Sequence, residues 1–245
     1  MSPVDSRPDV RRPARRSAVA VGVLGELLVT LGVLLGLFLV WQLWWTDVVG
    51  ERAQAAVVAE LGFTPPDADA APEPVLRRDP APVLVEPAFR TTFATLQVPR
   101  WDDVARPISQ GTAKREVLDA LGIGHYEGTA MPGAVGNFAV AGHRTTYGKP
   151  FHRVAELVVG DPLVVRTADT WYVYRVTAAE VVGPQQVEVI APVPGDLAAV
   201  PTQAMMTLTT CHPMFSARER YVVHAVLDHW LPVVDGTPAE LGAGA

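Results

Sequence analysis

Hydrophobic residues follow two patterns in this chain: one long unbroken run near the N-terminus, then short alternating runs from about residue 92. The unbroken run, residues 27–45, contains no charged residue, and as a helix it would extend about 28 Å, close to the thickness of a bilayer core. We therefore predict a membrane-spanning helix within residues 18–45. Three tryptophans (Trp41, Trp44 and Trp45) end the run, as in an interfacial aromatic belt.

Charge around this run sets the expected topology. The segment before it is rich in arginine, which favours a cytoplasmic N-terminus with the rest of the chain outside. The alternative is a cleaved signal peptide with an Ala-Gln-Ala site at residues 53–55. The apolar run is long for a signal peptide and that site lies well beyond it, so an uncleaved anchor is favoured.

The alternating runs predict a β-rich domain. Turn residues separate them, and Thr112 is placed to cap a short helix at residues 113–121. Many short strands with few helices favour a closed or nearly closed barrel. The predicted strands are residues 94–98, 105–108, 136–142, 162–166, 171–177, 179–182, 204–210 and 220–227.

The segments outside the apolar run and the β-rich domain complete the predicted organisation. Proline recurs through residues 62–92, which indicates a semi-extended spacer rather than a folded unit. The predicted divisions are a cytoplasmic tail (1–17), a transmembrane helix (18–45), a helical stalk with a Pro/Ala-rich linker (46–92), a folded catalytic domain (93–232) and a flexible tail (233–245). The net charge of −6, without a basic stripe in the folded domain, gives no reason to expect nucleic-acid binding.

The only cysteine, Cys211, directly follows the predicted strand at 204–210, and Arg220 opens the next one. Side chains alternate along a strand, so the apolar residues Met206, Leu208, Val223 and Ala225 are predicted to face the barrel interior. Cys211 and Arg220 then both face a groove on the outer side of the barrel wall. A single cysteine cannot form an internal disulfide, so an exported domain would carry a free thiol. A thiol, a guanidinium and an imidazole together suit nucleophilic acyl transfer, whereas the plainer alternative is a buried structural cysteine.

His143 is the candidate imidazole, because it follows a predicted strand and a glycine. His212 adjoins the cysteine but points to the opposite side of the strand, and His224 lies roughly 13 Å from Arg220 at strand rise. The histidines and the cysteine have no metal-ligand spacing, so zinc is not expected. The direction of side chains along the strand does not decide whether Arg220 or Arg218 is the guanidinium of the site, because residues two apart point to the same side.

Two segments carry a resemblance to a known family: TLTTC at residues 207–211, followed by an arginine at the start of the next strand, and GHRTT at residues 142–146. Over about residues 94–230 the chain resembles the sortases, the cysteine transpeptidases of Gram-positive cell surfaces, and most closely class E of actinobacteria. The resemblance implies an all-β, eight-stranded sortase barrel with short helices behind a single transmembrane helix. It also implies that His143, Cys211 and Arg220 form the catalytic set, and it favours Arg220 over Arg218.

The resemblance further implies a reaction. The enzyme would cleave an LPxTG- or LAxTG-like sorting signal of secreted proteins between Thr and Gly, through a thioester on Cys211. It would then join the threonine to an amine of a lipid-linked cell-wall precursor, at the outer face of the membrane. Tyr126 and Thr209 are candidate substrate-binding residues, and the class suggests the LAxTG form.

Two functions stay open beside this one: a pilin-polymerising sortase, and a non-enzymatic membrane-tethered binding domain with a structural Cys211. No cofactor is expected. Some class A sortases carry an acidic calcium cluster near the groove loops, but residues 125–135 here contain only Glu127. We therefore expect no metal site.

Overall fold

The computed structural model describes residues 14–63 and 75–242. The chain divides into two units, residues 1–45 and 46–245, and helix α1 (Ala14–Glu60) contributes to both. By length and composition, its stretch Ala18–Glu60 is suited to cross a membrane. The predicted span at 18–45 lies within α1, whereas most of the predicted cytoplasmic tail falls outside the described residues.

The described residues form eight strands: β1 (Thr92–Val98), β2 (Asp102–Gln110), β3 (Ile123–His125), β4 (Gly136–Ala141), β5 (Pro162–Arg166), β6 (Thr170–Val182), β7 (Ala204–His212) and β8 (Glu219–Pro232). They close into a barrel in the order β1-β2-β3-β4-β7-β8-β6-β5, which confirms the expected architecture. The pairs β2–β3 and β4–β7 are parallel and the other neighbours are antiparallel.

Alternation along β7 and β8 sets which side chains fill the barrel. Met206 and Leu208 of β7 and Val223 and Ala225 of β8 belong to the buried core, as the sequence pattern predicts. The residues between them therefore face outward. Cys211 has the outward parity of β7 at the end of that strand, so it lies on the outer wall of the barrel.

Two predicted elements differ from those observed. The segments 171–177 and 179–182 form one strand, β6, with a shift in register between Val176 and Ala178 that hides their continuity in the sequence pattern. The predicted helix 113–121 is a π-helical turn (Lys114–Leu118) followed by a single turn, α2 (Asp119–Leu121). Ala113 rather than Thr112 precedes it, and no side chain caps its first turn. Strand β3, with three residues, was too short to be predicted.

The linker and the tail contact the barrel where the structure describes them. Residues 64–74 of the predicted linker lie outside the described residues, but Arg77 pairs with Trp230 through both backbone groups, and the Tyr172 hydroxyl donates to Pro82 O at 2.7 Å. Through residue 242 the predicted tail (233–245) forms two 3₁₀ turns, and Val233 and Leu241 pack on an apolar cluster of the barrel.

Candidate functional site

Cys211 lies directly opposite Arg220 in the antiparallel ladder of β7 and β8. Residues in this relation have Cβ atoms about 4.5–5.5 Å apart. The cysteine is partly exposed. Nη1 of Arg220 donates to the carbonyls of Ala217 and Glu219 in its own turn, at 3.0 and 2.9 Å. Arg218 precedes β8 and is outside the ladder.

His143 reaches the same place from the parallel neighbour of β7. The β4–β7 ladder ends with Ala141 opposite Thr209, and Gly142 continues it by donating its N–H to Thr209 O at 3.2 Å. The Thr210 hydroxyl in turn donates to Gly142 O at 2.7 Å. His143 is therefore two residues past the last ladder pair on one strand, as Cys211 is on the other. Parallel register thus brings residues 143 and 211 to neighbouring positions at the ends of the two strands.

A carboxylate that the sequence did not suggest, Asp119 of α2, contacts the histidine. His143 Nε2 lies 2.6 Å from Asp119 Oδ1, and both side chains are largely buried. The other carboxylate oxygen is 3.0 Å from Lys114 Nζ, and this hydrogen bond raises the pKa of the Lys114 ammonium. Asp119 therefore engages Nε2 of the imidazole rather than Nδ1. No spacing rule links residue 119 to residue 143, because tertiary packing alone brings them together.

Arg144, the neighbour of His143, fixes the main chain at the cysteine. Its side chain is buried, and Nη1 donates to Cys211 O at 3.3 Å and to His212 Nδ1 at 2.8 Å. Its guanidinium also lies over the Tyr221 ring, 5.4 Å from the centroid. The loop that presents the imidazole is thereby tied to the strand that presents the thiol.

Comparison with known proteins agrees with this arrangement. The Sortase domain family matches residues 96–228. The chain belongs to the sortase family. Members of this family are cysteine transpeptidases, and the class E assignment is confirmed by a relative, Sortase SrtE1 of Streptomyces coelicolor. That protein is 37% identical to this chain, and the alignment covers 96% of this chain and 66% of the relative.

Two solved structures have the same fold. SrtA sortase from Actinomyces oris has 44% identity and a TM-score of 0.65, over 68% of this chain and 96% of that one. Sortase E1 from Streptomyces coelicolor, with a tripeptide in the active site, has 38% identity and a TM-score of 0.57. The match covers 61% of this sortase and 96% of that structure.

The two predicted substrate-binding residues contact each other in this sortase. The Tyr126 hydroxyl and Thr209 Oγ1 are 3.0 Å apart, and Thr209 Oγ1 also donates to Val140 O at 3.3 Å. Thr209 lies two residues before Cys211 and therefore on the same outer face of β7. Tyr126 follows β3, so the pair joins the start of the β3–β4 loop to the strand that carries Cys211.

The other five histidines are engaged by partners other than the thiol. His125 is buried, which lowers its pKa, and it bonds to Gln110. His212 contacts Arg144. The remaining three bond as follows: His152 to Arg144 O, His224 to Thr207 and Glu180, and His229 to Asp228. Within residues 14–63 and 75–242, no three His, Cys, Asp or Glu side chains gather as metal ligands.

Proposed function

We propose that this sortase is a membrane-anchored transpeptidase that cleaves an LPxTG- or LAxTG-like sorting signal between Thr and Gly. It would then join the threonine carbonyl to an amine of a cell-wall precursor through a new amide bond. The observation that carries the proposal is the pairing of Cys211 with Arg220, with His143 brought alongside by the neighbouring parallel strand. The tripeptide in the active site of Sortase E1 from Streptomyces coelicolor supports a peptide substrate.

The first half of the reaction forms an acyl-enzyme. The Cys211 thiolate attacks the threonine carbonyl carbon, and the negative charge of the tetrahedral intermediate develops on the carbonyl oxygen. Arg220 faces that oxygen. Its turn carbonyls engage only Nη1, so Nε and Nη2 are left to donate to the oxyanion. The bond between threonine and glycine then breaks, and protonated His143 gives its proton to the departing glycine amine.

The second half reverses the direction of proton transfer. An amine attacks the thioester carbonyl, His143 accepts a proton from it, and the Cys211 thiolate leaves as the new amide forms. Both halves need the imidazole at one place and in one tautomer. Asp119 serves this purpose, because its carboxylate accepts from Nε2 and directs Nδ1 toward the reacting atoms.

Tyr126 and Thr209 are the proposed recognition pair. Their hydroxyls lie in hydrogen-bond contact on the outer face that leads to Cys211. A hydroxyl pair can donate to and accept from the main chain of an extended peptide. We assign these residues to binding the segment of the signal that precedes threonine. We expect this site to prefer the alanine of LAxTG to the proline of LPxTG.

We further propose an orientation with the N-terminus in the cytoplasm and residues 46–245 outside. Arginines precede the apolar part of α1 and tryptophans follow it. A reporter fused after Ala245 should be active only on the extracytoplasmic side. Activity confined to the cytoplasm would reverse the assignment.

Turnover tests the reaction class. The full chain, purified in detergent micelles, is incubated with an LAxTG peptide, with and without an amine acceptor, and the products are separated by chromatography. We expect cleavage after threonine and a ligated product that requires the amine. A lysine-bearing pilin-like acceptor preferred over the wall amine would indicate polymerisation of pili. A chain that cleaves no peptide even before alkylation, and that binds its partner equally well with Cys211 free or alkylated, would indicate a binding domain.

A further inference from the structure

The last third of α1, beyond the apolar run, presents one polar stripe to the rest of its unit. Asp47, Gly50 and Gln54 are spaced by three and four residues, so they lie on one face of the helix. Gly50 is buried, and Gln54 is only 8% exposed. The sequence suggested a stalk here, which would need no buried polar residue. A buried glutamine side chain instead indicates a defined contact.

That contact is with the loop that follows His143. Gln54 Nε2 donates to Tyr147 O at 2.9 Å, and Lys149 Nζ lies 2.6 Å from Asp47 Oδ2. A Cβ atom on Gly50 would lie 2.4 Å from Gly148 N, and one on Gly148 would lie 2.6 Å from Gln54 Nε2. The helix and the loop therefore approach so closely that neither glycine has room for a side chain.

The loop has a backbone that benefits from such support. Tyr147, Gly148 and Lys149 all have positive φ, at 54°, 70° and 33°. Non-glycine residues in this region cost of the order of 1 kcal/mol each, and persist where neighbouring structure holds them. The two non-glycine residues are the ones tied to the helix, one through its carbonyl and one through its ammonium.

The loop in turn contacts the imidazole of His143. The Tyr147 ring packs against the His143 ring with centroids 5.2 Å apart. Gln54 also packs against Gly122, which ends the turn that carries Asp119: a Cβ on Gly122 would lie 2.8 Å from Gln54 Cδ. One side chain of the helix thus touches both segments that contact His143.

We propose that residues 47–54 of α1 are a positioning element for His143, so that the catalytic unit includes the juxtamembrane helix. The inference rests on the function proposed above, in which His143 transfers the proton. Asp47 and Lys149 hold the loop, and Gln54 sets the distance between the loop and the Asp119 turn. Loss of these contacts should displace the imidazole without altering the peptide groove.

Charge exchange in the full chain tests this element. Asp47→Lys and Lys149→Asp are each assayed for peptide cleavage in detergent micelles, together with the double variant and with Gln54→Ala. Each single variant should lose about tenfold or more in kcat, within the range for a catalytic group displaced by up to 1 Å. KM and Tm should stay near wild type, and the double variant should recover most of kcat. Glu60→Lys, an exposed charge reversal on the same helix, is the control and should match wild type.

The outcomes separate this inference from the function it rests on. A wild-type chain that forms no thioester would refute the proposed function. A wild-type chain that turns over, with single variants at full kcat or a double variant no better than the singles, would refute the positioning element alone. Losses of kcat that follow a fall in Tm in every variant, Glu60→Lys included, would likewise refute it, because general unfolding would then explain them.

Discussion

Cys211 and Arg220 face each other across the β7–β8 ladder, on the outer wall of a closed barrel. The relation depends only on strand register, so it is as rigid as the barrel itself. A nucleophile and an oxyanion donor held in this way lose little entropy on the way to the transition state. The histidine, in contrast, comes from a loop and depends on further contacts for its position.

The arginine position gives the first prediction. Arg220→Lys keeps the charge but loses the planar fork of donors, so kcat should fall by about 100-fold or more, the scale of a lost oxyanion donor. Arg218→Lys is the matched control and should stay near wild type, because Arg218 lies outside the ladder. Both are measured by steady-state cleavage of an LAxTG peptide. The reverse order of effects would transfer the role to Arg218.

The second prediction concerns the carboxylate behind the histidine. Asp119→Asn should lower kcat by up to about 100-fold with KM unchanged, since the imidazole loses its charged partner and shifts by an ångström or less. His143→Ala should lose about 100-fold or more, the scale of general acid–base catalysis. Glu116→Gln, an exposed acid of the π-helical turn that precedes Asp119, is the control.

A spectroscopic signature separates orientation of the imidazole from simple stability. In the wild type, ¹⁵N NMR of the His143 ring should show a hydrogen-bonded Nε2–H, and this signal should change in Asp119→Asn but not in Glu116→Gln. An Asp119→Asn enzyme with wild-type kcat and an unchanged ring signal would remove Asp119 from the mechanism.

Substrate recognition gives the third prediction. Tyr126→Phe and Thr209→Val each remove one hydroxyl of a contacting pair, and each should raise KM about fivefold, as expected for one hydrogen bond worth about 1 kcal/mol. The double variant should be less than additive, because the two hydroxyls act together. Thr177→Val, an exposed threonine of β6, serves as control. An unchanged KM in both single variants would place recognition elsewhere.

Independence from calcium is the fourth prediction. Calcium requires six to eight oxygen ligands around one point, and the loop at residues 125–135 contains Glu127 as its only acid. Peptide cleavage should therefore be the same in excess chelator and in millimolar calcium. Several-fold activation by calcium, reversed by chelator, would show that acids from separate loops combine into a site.

The sequence predicts those parts of this molecule that follow from local periodicity. Alternation in β7 and β8 correctly placed Met206 and Val223 inside the barrel, and the long apolar run gave α1. The short strands favoured a closed or nearly closed barrel, and the family resemblance implied the eight-stranded sortase barrel, because no single strand encodes its neighbour. The three-residue β3 and the π-helical turn before Asp119 leave no periodic signal and were missed.

The sequence pattern does not predict contacts between distant segments. Asp119 and Gln54 both act on the histidine loop, yet each lies in a stretch whose local pattern indicates only a helix. The sequence predicts a semi-extended linker, because it is rich in proline, and a flexible tail. They nevertheless contact the barrel through single groups such as Arg77 and Leu241, which composition averages cannot detect.

The central claim, that Cys211 is the acyl-transfer nucleophile, is tested most directly by intact-mass spectrometry of the full chain mixed with an LAxTG peptide. Without an amine acceptor, wild type should gain the mass of the peptide up to threonine, and fragmentation should place it on Cys211 as a hydroxylamine-sensitive thioester. Adding the amine should discharge it into ligated product, and Cys211→Ala should gain nothing. Cleavage of the peptide by Cys211→Ala, or an adduct on any other residue, would contradict the account.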